Sequence, residues 1–309
     1  VTSVVEAAVA APSRRVRTRH FLMCPPRYFD VSYAINPWMD PSTPVSPQRA
    51  LGQWTMLVEE YARCGHRVDL LDPQPGLPDM VFAANGATVV DGAVLEARFA
   101  NPQRTAEAGW HAAWYRRHGD RLGLAAPQPA HAVNEAEGDF AVHHVPGRPG
   151  AGEGASGHTR VLAGWGFRTE RAAHEELARA TGAEVVALEL VDPRFYHLDV
   201  ALTVLDDETG LIAYHPPAFA PRSRDLLARL YPDAVLVGET DALAFGLNSV
   251  SDGRNVFVPA GAEGFLTELA ARGFTPVPVD LSELVKAGGS VKCCTQEIRG
   301  PRAAERSRG

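Results

Sequence analysis

The sequence predicts an α/β fold of five repeated units, each reading strand, turn, strand, helix, strand, and three observations carry the prediction. Short runs rich in β-branched and aromatic residues alternate with stretches of helical length and periodicity. Turn signals such as Asp91-Gly92 fall between paired runs. The fifth unit is complete only if the two ends of the chain are brought together. No composition shift marks a domain linker, so residues 19–298 are read as a single domain, with 1–18 and 299–309 as disordered, dispensable tails. Five units closing in a ring leave a central channel lined by strand ends and loops, a natural place for a small-molecule pocket.

The first unit opens near Met80 with VFAANGATVV, turns at Asp91-Gly92, continues as AVLEARFA and enters a helix from about Arg104 to His118. The second runs from Phe140 (FAVHHV) past an insert to RVLAGWGF, a helix from about Arg171 to Thr181, and EVVALEL. VALTVLDD, GLIAYHP, a helix from Ser223 to Tyr231 and AVLVG make the third; ALAFGLNSVSD, NVFVPAG, a helix from Ala262 to Arg272 and TPVPVDL make the fourth. For the fifth, SVKCCTQEI supplies the opening strand, and HFLMCPP, a helix from Ser46 to Cys64 and HRVDLLD supply the rest. That helix is well punctuated, with Ser46 as N-cap, Pro47 in the first turn and Gly65 just past the end. Ala50, Trp54, Leu57 and Tyr61 form its core-facing stripe.

The 309 residues carry a net charge of −7, but each end contributes +3, through Arg14, Arg15, Arg17 and Arg19 against Glu6 and through four arginines against Glu305. Setting both ends aside leaves a body of about −13, which argues against a nucleic-acid partner. No apolar run approaches the roughly 20 residues of a membrane span, so no membrane partner is expected. Cys24, Cys64, Cys293 and Cys294 are too few for a disulfide framework in a chain this long; they are expected to be reduced and the protein cytoplasmic. Gly152, Gly154 and Gly157 match a dinucleotide-binding spacing by accident, because a strand rather than a helix follows them. His143 and His144, adjacent on a strand, point to opposite faces and do not chelate one ion together. Neither a cofactor nor a metal is expected.

Chemistry concentrates elsewhere. Cys293 in AGGSVKCC is a candidate nucleophile, and His197 in FYHLD is the best candidate base, with Asp199 two residues on and, on a strand, on the same face. Acidic residues recur at the starts of other units: Asp79 before the first, and Glu135, Glu137 and Asp139 before the second. A ring of carboxylates opposite a thiol suggests a cationic substrate, and a planar guanidinium pairs best with carboxylates.

HFLMCPP, INPWMD, PDMVFAANG, EAEGD, GFRTE, FYHLD and GGSVKC occur in the order found in the guanidino-modifying enzymes, which the chain resembles from about residue 19 to residue 298. That group includes arginine deiminases, dimethylargininases, amidinotransferases and the arginine dihydrolase domain, and INPWM with FxANG looks most like the last. The resemblance implies a five-bladed pseudosymmetric α/β propeller. It implies Cys293 as the nucleophile that attacks the guanidinium carbon and His197 as the acid and then the base. Glu135 is implied as the supporting carboxylate, with Glu137 as second choice. Arg104 and Arg168 match arginines that hold a substrate α-carboxylate, and Asp79 matches an acid lining the pocket. Asn85 stands where deiminases and dimethylargininases place an acid, and Asn36 looks like the second asparagine of the dihydrolases. An amide in place of an acid holds a cation less firmly but can hydrogen-bond a neutral ureido group. Asp199 follows the deiminase and dihydrolase pattern. The function expected is therefore arginine dihydrolase, with a small guanidino substrate and ornithine, carbon dioxide and ammonia as products. Dimethylargininase, amidinotransferase and a noncatalytic arginine-binding sensor are the alternatives.

Overall fold

The structure, a computed structural model, describes residues 14–147 and 157–302. Gly152 and Gly154 lie outside them, and the element after Gly157 is the strand His158–Trp165. Five separate small sheets make up the strand content. Four have three strands, with the middle strand antiparallel to one neighbour and parallel to the other. The parallel partner is reached through a helix, as a parallel connection requires. The first unit is the exception. Ala87–Val90 pairs with Ala93–Glu96 across the Asp91-Gly92 turn, but after the helix Glu107–Leu122 isolated bridges, from Leu95 to Gln128 and from Arg98 to Asn134, stand where a third strand was expected.

The two chain ends meet in one sheet: Gln296–Glu297 runs antiparallel to His20–Met23, which runs parallel to Arg67–Leu70. Its helix, Pro47–Arg63, starts where Ser46 Oγ accepts the N–H of Arg49 and ends before Gly65 at φ +83°. Ala50, Trp54, Leu57 and Tyr61 are buried on its inner side, together with Gln53. Helices Pro221–Leu230 and Glu263–Ala271 bury Leu227, Phe265 and Leu269 into a core shared with Leu205, Ile212, Val256 and Val258. Each such side chain contributes about 1.5 to 3 kcal/mol by leaving water.

The openings of the units differ most from expectation. Segments read as strand are tight turns, at Pro78–Val81 and Ala83–Asn85 before the first sheet and at Leu198–Val200 before the third, and another tight turn, Ala136–Gly138, precedes the second. In the fourth unit, Glu239–Leu243 is a short helix, and the strand begins only at Val250. In the fifth, Cys293 and Cys294 lie in a turn, and the strand is confined to Gln296–Glu297. The physical reason is common to the segments read as strand. This backbone is buried and apolar like a strand, but its hydrogen bonds close locally, as from Asn85 N to Phe82 O.

The ends also reach beyond the expected boundaries. Arg14 and Arg17 lie against Asp206, Arg17 also pairs with Asp207, and Arg299 pairs with Glu137 and Glu297. Among the described residues, no helix is long and apolar enough to cross a membrane.

Candidate active site

Four of the five unit openings carry candidate residues. Asp79 and Asn85 come from the first, Glu135 and Asp139 from the second, His197 and Asp199 from the third, and Cys293 from the fifth; all of them are buried. A small enclosed cavity is lined by Asn36, Asp79, Asn85, Arg104, Arg168 and Cys293, closed by Phe82, Tyr196 and Gly289.

His197 is gripped on both ring nitrogens. Nδ1 lies 3.0 Å from Asp139 Oδ2, and Nε2 lies 3.1 Å from Glu135 Oε2. The Nε2 approach is close enough for charge pairing but is not aligned as a hydrogen bond. Burial opposes a charge on the ring, yet Asp139 and Glu135 outweigh it and raise its pKa to about 9. Asp139 is itself fixed by Thr169 Oγ1 at 2.7 Å and by the N–H of Leu198 at 3.0 Å. Burial would raise the pKa of Glu135, but Arg168 and His197 bring it down to about 2.

His197 does not open a strand, and Asp199 does not accompany it on a strand face. His197 is extended, the next residues form a tight turn, and Asp199 swings to the nucleophile instead. Cys293 Sγ donates to Asp199 Oδ2 at 3.2 Å and accepts from Asn248 Nδ2 at 3.0 Å. Burial, then the nearby Asp199 carboxylate, hold the Cys293 thiol well above its ordinary pKa. Burial also raises Asp199, to about 6.

Glu137 is placed differently from its neighbours. Although second choice as the supporting acid, it faces away from His197, where it takes Lys292 at 2.7 Å, Arg299 and the N–H of Glu297. Arg104 and Arg168 both line the cavity, but Arg104 is largely committed. Its guanidinium forks onto Glu107 at 3.0 and 2.8 Å and reaches Asn85 Oδ1 at 2.9 Å and the Asp79 carbonyl at 3.2 Å. Arg168 pairs with Glu135 at 2.9 Å, donates to the Ile35 carbonyl at 2.8 Å and stacks on Tyr196. Asn85 donates to the Glu135 carbonyl, so each end of its amide keeps one further hydrogen-bonding position. Asn36 has both amide hydrogens engaged, by Tyr196 Oη at 3.4 Å and the Ala287 carbonyl at 3.0 Å, and is half-buried at the loop leading to Cys293.

Three contributors escaped the sequence reading in their present roles: Asp139 as the anchor of Nδ1, Glu107 as the partner of Arg104, and Asn248. The repeat itself could have found Asn248, since it opens the fourth unit in the place where acids were sought in the others. Among the described residues, no group of histidine, cysteine, aspartate and glutamate could hold a metal ion.

No family model matches the sequence. Among curated proteins, the chain is 51% identical over 96% of its length to N(G),N(G)-dimethylarginine dimethylaminohydrolase of Mycobacterium tuberculosis, 91% of which is covered. It is 35% identical over 91% of its length to the bifunctional arginine dihydrolase/ornithine cyclodeaminase ArgZ of Synechocystis, of which it spans 38%. Among solved structures, the N-terminal domain of ArgZ, as a cysteine-to-serine variant bound to substrate, matches with a TM-score of 0.80 and 32% identity, over 92% of this chain and 100% of that one. A dimethylarginine dimethylaminohydrolase adduct at 18% identity, with a TM-score of 0.68, shares the fold. The likeness runs the length of the chain and at 51% identity is far above what fold alone produces, so this chain belongs to the guanidino-group-modifying superfamily, as a hydrolase of guanidino C–N bonds.

Proposed function

We propose that the chain cleaves its substrate through a covalent adduct on Cys293, with His197, Glu135 and Asp139 as the acid–base apparatus. The observation that carries this reading is a pair of buried carboxylate oxygens. Asp79 Oδ1 and Asp199 Oδ1 have no hydrogen-bond partner among the described residues; Asp199 touches the sulphur, and Asp79 lines the same cavity. Unpartnered buried acceptors are costly, and a guanidinium is the planar donor that satisfies them.

A guanidinium beside Asp199 adds the positive charge that the thiol lacks and lowers its pKa, so with substrate present the thiol releases its proton to solvent and becomes the thiolate. The sulphur attacks the guanidinium carbon. Imidazolium His197 passes its Nε2 proton to the departing amine, and the C–N bond breaks. Neutral His197 then takes a proton from water, whose oxygen attacks the same carbon and displaces the sulphur. Asp139 keeps the imidazole oriented throughout, and Glu135 stabilises its charged form.

We further propose arginine as the substrate, bound through Arg168 and the one uncommitted donor of Arg104 at its carboxylate, and ornithine, carbon dioxide and ammonia as the products. Asn85 supports this reading, because its remaining donor and acceptor suit the neutral ureido group of bound citrulline and so a second round of hydrolysis. The likeness to the ArgZ N-terminal domain supports it too. A second reading, removal of dimethylamine from dimethylarginine, is favoured by the relative at 51% identity. The fold reading that accompanies either is a five-bladed propeller acting as one catalytic domain over residues 19–298, in a cytoplasm reducing enough to keep Cys293 a thiol.

The test is a mass-spectrometric product assay on arginine and asymmetric dimethylarginine in parallel, with Cys293→Ser as control. Ornithine from arginine, abolished in the variant, is the expected outcome. Citrulline and dimethylamine from the methylated substrate, with arginine untouched, would move the assignment to dimethylargininase. Turnover retained by Cys293→Ser would overturn the mechanism.

A further inference from the structure

We propose that Asn248 is a catalytic residue of this site, the donor that holds the Cys293 sulphur while it carries negative charge. The proposal rests on reading Cys293 as the nucleophile.

Asn248 is fully buried and opens the fourth unit, immediately before the strand Val250–Ser251. Every other unit opening contributes a polar side chain to the site, so the repeat brings Asn248 to the same channel end as Asn85, Asp139, His197 and Cys293. Its hydrogen bonds fix which way the amide faces. The N–H groups of Ser290 and Cys293, each 3.1 Å away, both need an acceptor, so the oxygen must stand there. The nitrogen is then directed at two acceptors, the Asp199 carbonyl at 3.2 Å and Cys293 Sγ at 3.0 Å. The Asn248 carbonyl also accepts the N–H of Lys292 at 3.2 Å. One residue thus grips the nucleophile loop at Ser290, Lys292 and Cys293 and still aims a donor at the sulphur.

That donor matters because the other side chain on the sulphur has the wrong sign, and apart from the amide of Asn248 the anion is favoured by the Ser290 backbone. Asp199 Oδ2, 3.2 Å away, accepts from the thiol but repels the thiolate. The sulphur is anionic twice in each round of hydrolysis, before it attacks the carbon and when it leaves the carbon again. A hydrogen bond from a neutral amide strengthens when its acceptor becomes charged, and a pre-aimed donor needs no rearrangement to supply that gain. The backbone grip explains why an asparagine is used where a serine or threonine could have donated, since its nitrogen has two hydrogens for the Asp199 carbonyl and the sulphur while its oxygen takes both loop N–H groups, and a hydroxyl has a single hydrogen.

Asn248→Asp keeps an oxygen for the backbone and replaces the N–H donor with a carboxylate oxygen that opposes the thiolate. The expected result is a fall of about 10- to 100-fold in kcat, the usual range for losing a hydrogen bond to a charged group, with KM changed less than about threefold. Alkylation of Cys293 by iodoacetamide at fixed pH should slow by about tenfold. If Asn248 only braces the loop, alkylation is unchanged or faster as the loop loosens, and that outcome overturns the proposal. A second measurement needs no folded Asn248 variant. In the 15N-labelled wild-type protein, the Asn248 side-chain amide should shift with pH at the midpoint of Cys293 ionisation and lose that response in Cys293→Ser; an amide indifferent to that ionisation also overturns it. If Cys293→Ser is inactive while Asn248→Asp turns over like wild type, the Asn248 assignment alone fails. If Cys293→Ser turns over, the nucleophile reading itself fails.

Discussion

His197 stands between two carboxylates that do different things. Asp139 supports it through an aligned hydrogen bond to Nδ1, and Glu135 pairs with it by charge at Nε2 while also neutralising Arg168. The imidazole is charged in the resting site, so the alkaline limb of kcat/KM should report His197 at about pH 9. Asp139→Asn removes the leading favourable charge; the limb should move toward the ordinary histidine value, and kcat should drop by about 100-fold. A limb that stays in place would detach Asp139 from His197. The same shifts set the pH dependence of stability. With the folded pKa of His197 above its unfolded value of 6.5, its contribution is complete below about pH 6.5 and is lost as pH rises through about 9. With Glu135 depressed to about 2, its contribution is complete above 4.5 and is lost as pH falls toward 2. Urea midpoints measured from pH 7 to 10 should fall along the alkaline edge, and Asp139→Asn should flatten that edge.

At the scale of elements, the unit openings are where local geometry makes the site, and the loop before Cys293 is the most constrained of them. Gly288 sits at φ +86°, and a Cβ there would lie 2.7 Å from Asn36 Oδ1 and 2.8 Å from Tyr196 Oη. Both residues are bonded to this loop, Asn36 to the Ala287 carbonyl and Tyr196 to the Gly288 carbonyl. Gly288→Ala should therefore cost about 1 to 3 kcal/mol in stability and lower kcat/KM by about tenfold or more, read by denaturant midpoint and turnover. Unchanged turnover would show that the loop's position is immaterial to Cys293. These openings are also where sequence reasoning reaches its limit. The helix Pro47–Arg63 was legible because Ser46, Pro47 and Gly65 act through local chemistry, and the joined ends were legible because HFLM and HRVDL have strand character wherever they pair. The turns were not, since a buried apolar segment looks the same whether its hydrogen bonds run across a sheet or close on themselves. Period-two reasoning then fails for His197 and Asp199. In EAEGD, Ala136 at φ +49° and the tight turn after it send Glu135 and Asp139 to the imidazole and Glu137 to the far side. Three acids within five residues carry no mark in sequence of which one turns inward.

For the whole molecule, the charge asymmetry visible in composition has a structural meaning that the tails alone concealed. The basic ends are drawn onto the acidic body: Arg17 meets Asp206 and Asp207, Arg19 meets Asp207 and Glu297, and Arg299 meets Glu137 and Glu297. These pairs link the chain termini to the second and third units and so brace the sheet in which the ends meet. Glu137 is the buried centre of this network, fully enclosed, whereas Lys292 and Arg299 keep about a fifth of their side-chain surface in solvent. Glu137→Gln strips both cations of their shared counter-ion. The loss should be about 2 to 3 kcal/mol, below the range for a fully buried pair because water still reaches the two cations. Since Glu137 touches neither His197 nor the cavity, the variant should unfold at lower urea yet keep its alkaline limb near pH 9. Glu135→Gln should do the reverse at the site, shifting the limb downward as the imidazole loses a neighbouring charge. If instead Glu137→Gln moved the limb and Glu135→Gln left it, the division of labour within EAEGD would be inverted, and with it the assignment of which acid supports the histidine.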